Sequence, residues 1–200
     1  MHLIFDIGNV LVRYQPLEYL SRLFQDSSLI EKMYETIFKS KEWLLMDQGL
    51  LTFDEATDIF CKIEPKYNAE ICKTMKSVTT MFTPLENTIK LLPELKEMGY
   101  TLYYLSNIQV EIRDYLLKNH DYFKFFTGGI FSCDINHIKP SPEIFQALLK
   151  KYMLSPVDCV FFDDMQENIS AAEKEGIKGI LFTSADCIME YITQGNSSEH

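Results

Sequence analysis

Four short stretches carry the side chains with reactive chemistry. "FDIGN" holds Asp6, "LSN" holds Ser106 and Asn107, "IKPSPEIF" holds Lys139, and "FFDDMQEN" holds Asp163 and Asp164. Carboxylates from two strand ends can share a hard divalent cation, and Mg²⁺ prefers oxygen ligands in octahedral array. A lysine supplies a point charge for phosphoryl oxygens and a counter-charge for the acids. A Ser–Asn pair after a strand offers a hydroxyl and backbone N–H groups to an anion. A carboxylate can also attack phosphorus and form an aspartyl-phosphate.

Each of these residues has a plainer reading. Asp6 can be a strand-end turn residue, and Asn107 a turn residue. Ser106 can cap the helix that follows through "SNIQVEI", a role compatible with anion binding. Lys139 can be a solvated loop lysine, although Pro140 restricts its backbone and Ser141–Pro142 open a helix. Asp163 and Asp164 can cap "MQENISAAEKEG", but two acids ending a buried strand are costly without a cation beside them. Asn168 either supports that loop or lies on a helix surface. His137 reads as a loop histidine or a substitute acid, Arg13 and Tyr14 as surface residues or lining of the junction with the insertion, and Trp43 as a packing anchor or a substrate contact.

The elements that must position these groups are legible as apolar runs. Leu3–Ile7, Thr101–Leu105, Gly129–Ser132, Cys159–Asp163 and Gly179–Phe182 read as buried parallel strands. Helical patterns separate the later four. In "TPLENTIKLLPELKEMG", Thr83 is expected to cap, Pro84 to take the first helical position, and Glu86 to complete a capping box, with Gly99 ending the helix. "SPEIFQALLKKYML" starts in the same way, and "NISAAEKEG" closes on Gly176. Such alternation implies right-handed crossovers and a layered α/β sheet.

Residues 16–82 break the alternation. They hold amphipathic segments, "PLEYLSRLF", "LIEKMYETIF", "TFDEATDIFCKI" and "AEICKTMKSVTTMF", and no convincing strand. A crossover needs only a dozen or so residues. The excess is expected to be an inserted helical subdomain, with 1–15 and 83–200 forming the core. It departs from the carboxyl end of the first strand, where open α/β sheets bind ligands, so it would roof the site.

Composition bounds the partners. The 200 residues are 46% hydrophobic and 13% aromatic, enough for a sizeable core. Nineteen basic against 29 acidic residues leave a net charge of −10, which argues against nucleic acid and anionic membrane as partners. Five cysteines without a CxxC pair read as reduced thiols in a cytoplasmic protein. The apolar amino end contains Asp6, Gly8 and Asn9 and reads as a first strand rather than a signal peptide. No uncharged run is long enough to span a bilayer. The tail from Gln194 to His200 is expected to fray.

In order and context, the four stretches resemble the haloacid dehalogenase-like (HAD) superfamily of phosphohydrolases, in the branch with a helical, C1-type cap after the first strand. "EWLLMDQGLLTFDEA" resembles that cap's acidic-Gly-turn-helix element. The resemblance implies a Rossmann-like α/β core and Mg²⁺ as cofactor. It implies Asp6 as nucleophile and metal ligand, Ser106 and Asn107 as phosphate-binding residues, and Lys139 as the catalytic and phosphate-binding lysine. It further implies Asp164 as a direct Mg²⁺ ligand and Asp163 as a water-mediated one.

Gly8 departs from the family pattern. Family phosphatases usually carry a second aspartate there, whose carbonyl ligates Mg²⁺ and whose side chain protonates the leaving group. Glycine keeps the carbonyl and loses the acid, an effect worth about 10²–10⁴-fold where present. The "Asp-x-Gly-Asn" start resembles a branch that includes glucose-1-phosphatase-like enzymes, whose anomeric leaving group needs less protonation. Three functions therefore remain open. One is Mg²⁺-dependent hydrolysis of a small phosphorylated metabolite, such as a sugar phosphate. The second is a phosphate-binding or regulatory protein on the same scaffold. The third is a dehalogenase, against which Asp163 and Asp164 count. The sequence leaves the oligomeric state open.

Overall fold

The computed structural model describes residues 1–196, with side chains through Thr193. Seven strands occur in chain order: β1 (His2–Phe5), β2 (Val12–Arg13), β3 (Thr83–Pro84), β4 (Thr101–Ser106), β5 (Gly128–Phe131), β6 (Cys159–Asp163) and β7 (Lys178–Leu181). Five of them form a parallel sheet in the order β5-β4-β1-β6-β7. This is a Rossmann-like α/β core. The chain leaves β1 toward one side of the sheet and later returns to the other. The carboxyl end of β1 is therefore a topological switch point, where such sheets open a crevice.

Alternation along the strands separates two apolar layers. Leu3, Phe5, Leu102, Val160 and Phe162 pack on one face with Leu92, Leu95, Ile112, Leu116 and Ile188. Ile4, Tyr103, Leu105 and Phe161 face the other way, onto Ile144, Phe145, Leu148, Ile169 and Ala172. All five residues of β6 are buried, which is why the strand reads as a continuous apolar run until its terminal aspartate.

Two local expectations are corrected. β1 pairs only as far as Phe5. Beyond it Asp6 still donates its N–H to the Phe162 carbonyl at 2.9 Å, and then the Ile7 carbonyl accepts from the amides of Leu11 and Val12, turning the chain. Thr83 and Pro84 do not open a helix. They pair antiparallel with Arg13 and Val12, and Leu85 donates its N–H to the Leu11 carbonyl at 2.8 Å. The helix begins at Glu86, without a side-chain cap. Pairing with a distant segment supplies the backbone partners that the capping box would have supplied locally.

Between β2 and β3 every regular element is helical, from Pro16–Leu23 to Val78–Met81. The two-residue β2–β3 ladder closes the entry and exit of this insertion. Helix Phe53–Ile63 carries a full Thr52–Glu55 capping box, and Asp26 and Ser40 cap Ser27–Met33 and Lys41–Asp47. The expected fraying of the tail is corrected in part, since the last helix runs Ala185–Asn196; residues 197–200 lie outside the described residues. Among the described residues, no helix is long and apolar enough to cross a membrane.

Candidate active site

The site forms because three strands end together. Phe5 aligns with Tyr104 on one side and Phe162 on the other. One residue further, Asp6, Leu105–Ser106 and Asp163 reach the same edge of the sheet. Lys139 arrives from the loop after β5 and joins them from the side.

Lys139 is the hub. Its Nζ lies 2.8 Å from Asp6 Oδ1 and 2.6 Å from Asp163 Oδ2, and all three groups are buried. The ammonium also stands 5.3 Å from the Phe161 ring centroid. Its backbone is clamped by Asn107, whose Nδ2 donates to the Lys139 carbonyl at 2.9 Å while its Oδ1 accepts the Lys139 N–H at 2.7 Å. The peptide bond to Pro140 is cis. Asn107 is therefore more than a turn residue, and Lys139 is not solvated.

The two adjacent aspartates have different surroundings. Asp163 is saturated: beyond Lys139, it accepts from the Met165 N–H at 2.8 Å and from Asn168 Nδ2 at 2.9 and 3.1 Å. Asn168, readable from sequence as a helix-surface residue, is buried and serves this carboxylate. Asp164 is half-buried, and its one side-chain bond comes from Asn9 Nδ2 at 3.0 Å. Asn9 sits at φ +51°, a left-handed conformation asparagine tolerates better than most residues, and its Oδ1 accepts the Tyr14 N–H at 2.9 Å. No local sequence signal points to this hold on Asp164, because the two residues lie 155 positions apart.

Electrostatically the cluster has too much negative charge. Burial, reinforced by Asp163, pushes the Asp6 carboxyl up to about 7 against the pull of Lys139. Burial also raises Asp164. Burial opposes the charge on Lys139, but Asp6 and Asp163 outweigh it and hold its pKa above the ordinary value. One ammonium faces three carboxylates whose oxygens lie within 4.8 Å of one another. A divalent cation would balance that charge, and the donor set is entirely hard oxygen, so the residues fit Mg²⁺.

A cavity of about 330 Å³ opens over this edge. Asp6, Gly8, Ser106, Asn107, Lys139 and Asp164 line its floor. The Ser106 hydroxyl has only a 3.4 Å contact to the Asn107 carbonyl, too long to hold it, and the following helix is preceded by Gln109 rather than capped by Ser106. The walls are apolar, with Tyr14, Phe38, Trp43, Phe82 and Ile138 among them. Trp43 packs on Phe38 at 4.6 Å between centroids and also borders the cavity, so packing and lining are combined. Of the two readings of Tyr14 and Arg13, Tyr14 follows the lining one, whereas Arg13 stays exposed beside Glu18. His137 is exposed and outside the lining.

Asp47 also lines the cavity, and its burial, with Asp6 opposite, pushes its carboxyl up to about 8. The sequence held a signal for it. Trp43, Leu44 and Asp47 are spaced to share one face of the helix Lys41–Asp47, and all three border the cavity.

Sesquiterpene phosphatase astK of Aspergillus oryzae is 28% identical over 182 residues, covering 91% of this chain and 89% of that protein. Flavin mononucleotide hydrolase 1 of Arabidopsis thaliana is 24% identical over 148 residues, covering 73% of this chain and 58% of its own length. A HAD family enzyme from Bacteroides thetaiotaomicron, solved with magnesium and inorganic phosphate, superposes with a TM-score of 0.71. It is 24% identical, and 91% of this chain and 93% of that one are covered. L-2-haloacid dehalogenase of Xanthobacter autotrophicus shares the fold at 15% identity, with a TM-score of 0.66 over 97% of this chain and 82% of that one. The profile of the haloacid dehalogenase-like hydrolases matches residues 1–176, and the chain belongs to that family.

Proposed function

We propose that the protein is a Mg²⁺-dependent phosphatase that hydrolyses a small phosphomonoester through an aspartyl-phosphate on Asp6. The observation that carries this reading is the convergence of Asp6, Lys139, Ser106 and Asp164 on one cavity floor, with the buried Asp163 paired to Lys139. Asp6 attacks phosphorus. Lys139 and the Ser106 hydroxyl hold equatorial phosphoryl oxygens, and Asn107 keeps Lys139 in register. Asp6, the Gly8 carbonyl and Asp164 would hold Mg²⁺. Asp163, already saturated, fixes Lys139 and would serve the metal only through water. When bound, the cation neutralises charge on the phosphoryl oxygens.

Residues 16–82 act as a cap that excludes water and selects the substrate. The cavity walls favour an apolar organic group over a sugar. Phe38, Phe82 and Ile138 offer no hydrogen bonds to hydroxyls, and the Trp43 indole N–H is engaged with Tyr14. The amides of Asn9, Asn107 and Asn168 are already committed within the protein. The name of the Aspergillus relative points the same way. The glucose-1-phosphatase-like branch suggested by "DIGN" therefore accounts for the missing acid but not for these walls.

A second reading rests on Gly8: a phosphate-binding or regulatory protein that does not turn over. The test is a phosphate-release screen across prenyl, aryl and sugar phosphates and nucleotides, with and without Mg²⁺, alongside Asp6→Asn. Metal-dependent release, faster for prenyl and aryl than for sugar esters and abolished in the variant, is expected. Binding of a phosphate analogue without release would select the binding protein. Metal-independent halide release from a haloacid would select a dehalogenase.

A further inference from the structure

Gly8 leaves the leaving-group oxygen without the usual proton donor, and the cavity holds another candidate. Besides Asp6 and Asp164, two carboxyls among the described residues line it: Glu167 and Asp47. Glu167 stands exposed on the first turn of the helix Gln166–Lys174, where water competes for any proton it carries. Asp47 comes from the opposite wall, on the helical face that also presents Trp43 and Leu44.

Asp47 belongs to the insertion, but the core holds it in place. Its carbonyl accepts the Ser132 hydroxyl, and Ser132 Oγ in turn accepts the Ile108 N–H at 2.8 Å. The carbonyl of the next residue, Gln48, accepts from Asn136 Nδ2 at 2.6 Å. Gly49 follows at φ +68°, so close to Cys133 that an added Cβ would fall 2.3 Å from its carbonyl oxygen. Three successive residues are thus tied to the end of β5. The charged and titratable groups facing Asp47 are Asp6 and Lys139 from the core and Tyr14 from the link after β2. Burial and the Asp6 charge favour a neutral carboxyl, with Lys139 opposing.

We infer that Asp47 is the proton donor to the leaving oxygen, supplied from the insertion in place of the acid absent at Gly8. The inference rests on the phosphatase reading. In the first step the Asp6 oxygen forms a bond to phosphorus, and the ester P–O bond breaks with its electron pair on the leaving oxygen. The Asp47 proton passes to that oxygen, so a neutral alcohol departs and Asp47 is left as carboxylate. No oxidant or further reactant is needed.

The first-turnover release of alcohol reports this step alone. It is measured for 4-nitrophenyl, phenyl and n-alkyl phosphates with Mg²⁺ present. Asp47→Asn is expected to leave 4-nitrophenyl phosphate within a few-fold of the unaltered protein, because that leaving group needs little protonation. It should slow the alkyl ester by about 10²–10⁴-fold, steepening the leaving-group dependence. Asp47→Glu, which keeps an acid, should retain more alkyl-ester activity than Asp47→Asn. Gly8→Asp in the Asp47→Asn background should restore it. There is room for that side chain, since a Cβ at Gly8 meets nothing closer than Asp6 Oδ2 at 3.9 Å. An equal loss for all three esters in a variant of unchanged melting temperature, or no loss for any, overturns the assignment while the phosphatase reading stands. Absence of release by the unaltered protein overturns both.

Discussion

The Asn107 side chain grips the backbone of Lys139 on both sides, donating to its carbonyl at 2.9 Å and accepting its N–H at 2.7 Å. The residues are 32 positions apart and belong to different strand–loop junctions. This pair sets where the Lys139 ammonium enters the carboxylate cluster. Asn107→Ala leaves a part-buried donor and acceptor unpaired, at a cost of about 1–3 kcal/mol. We expect a lower urea midpoint with unchanged m-value, together with a kcat loss larger than the change in KM, because the lysine charge is displaced from the phosphoryl oxygens. Unchanged kinetics in a destabilised variant would reduce Asn107 to a structural role.

Lys139→Met removes the ammonium that pairs with the buried Asp6 and Asp163 carboxylates. Breaking a buried pair by removing one partner costs about 3–5 kcal/mol. The loss should be larger at high pH, where Asp6 carries its charge, and smaller near pH 5, where Asp6 is neutral. Urea unfolding at the two pH values checks this, and an equal loss at both would contradict the electrostatic account.

Metal-free stability should fall as pH rises. Asp6 and Asp47 have folded-state values of about 7 and about 8, above the unfolded carboxylate value of about 3.9. The native state thus binds more protons than the unfolded state between roughly pH 4 and 8. Their effect on stability is neutral below the unfolded value and grows unfavourable as pH rises, levelling off above about 8. Melting in chelator from pH 5 to 8 should show that decline. Mg²⁺ at 100 times its Kd adds about 2.7 kcal/mol by linkage. Its increment at a fixed concentration should be larger at pH 8 than at pH 5, since protons compete for the same oxygens. A pH-independent increment would place the ion elsewhere.

Gly49→Ala tests how the insertion is held against the core. The substitution meets a positive φ, worth about 1–2 kcal/mol for a residue with a Cβ, and a 2.3 Å approach to the Cys133 carbonyl oxygen. We expect destabilisation above that backbone figure and a fall in activity, because the carbonyl of Asp47 is tied two residues away to Ser132. Calorimetry and steady-state kinetics on one preparation separate the two effects. Loss of stability with full activity would show that Asp47 does not depend on this contact.

Much of the site was legible before any tertiary contact. Asp6, Ser106 and Asp163 stand where apolar strands stop, and a run of buried residues ending on a polar one is a local pattern. The Ser141–Pro142 helix start and the amphipathic segments of the insertion are equally local, since periodicity and capping act within a few residues. Thr83–Pro84 shows where that reasoning stops. Its capping signal was present, but pairing with Val12–Arg13 satisfied the backbone first.

The sequence by itself determined the order of the strands along the chain, the acids and lysine at their ends, and the absence of a side-chain acid at Gly8. Only the tertiary structure decided which partners those groups meet. Asn9 reaches Asp164 across 155 residues, and Ser132 reaches the Asp47 carbonyl across 85. Asn168 turned inward to Asp163, and Asp47 turned toward Asp6 across the cavity. Hydrophobic periodicity specifies which face of an element is buried but not what another element places against it. Charge, proton affinity and substrate fit depend on that second arrangement.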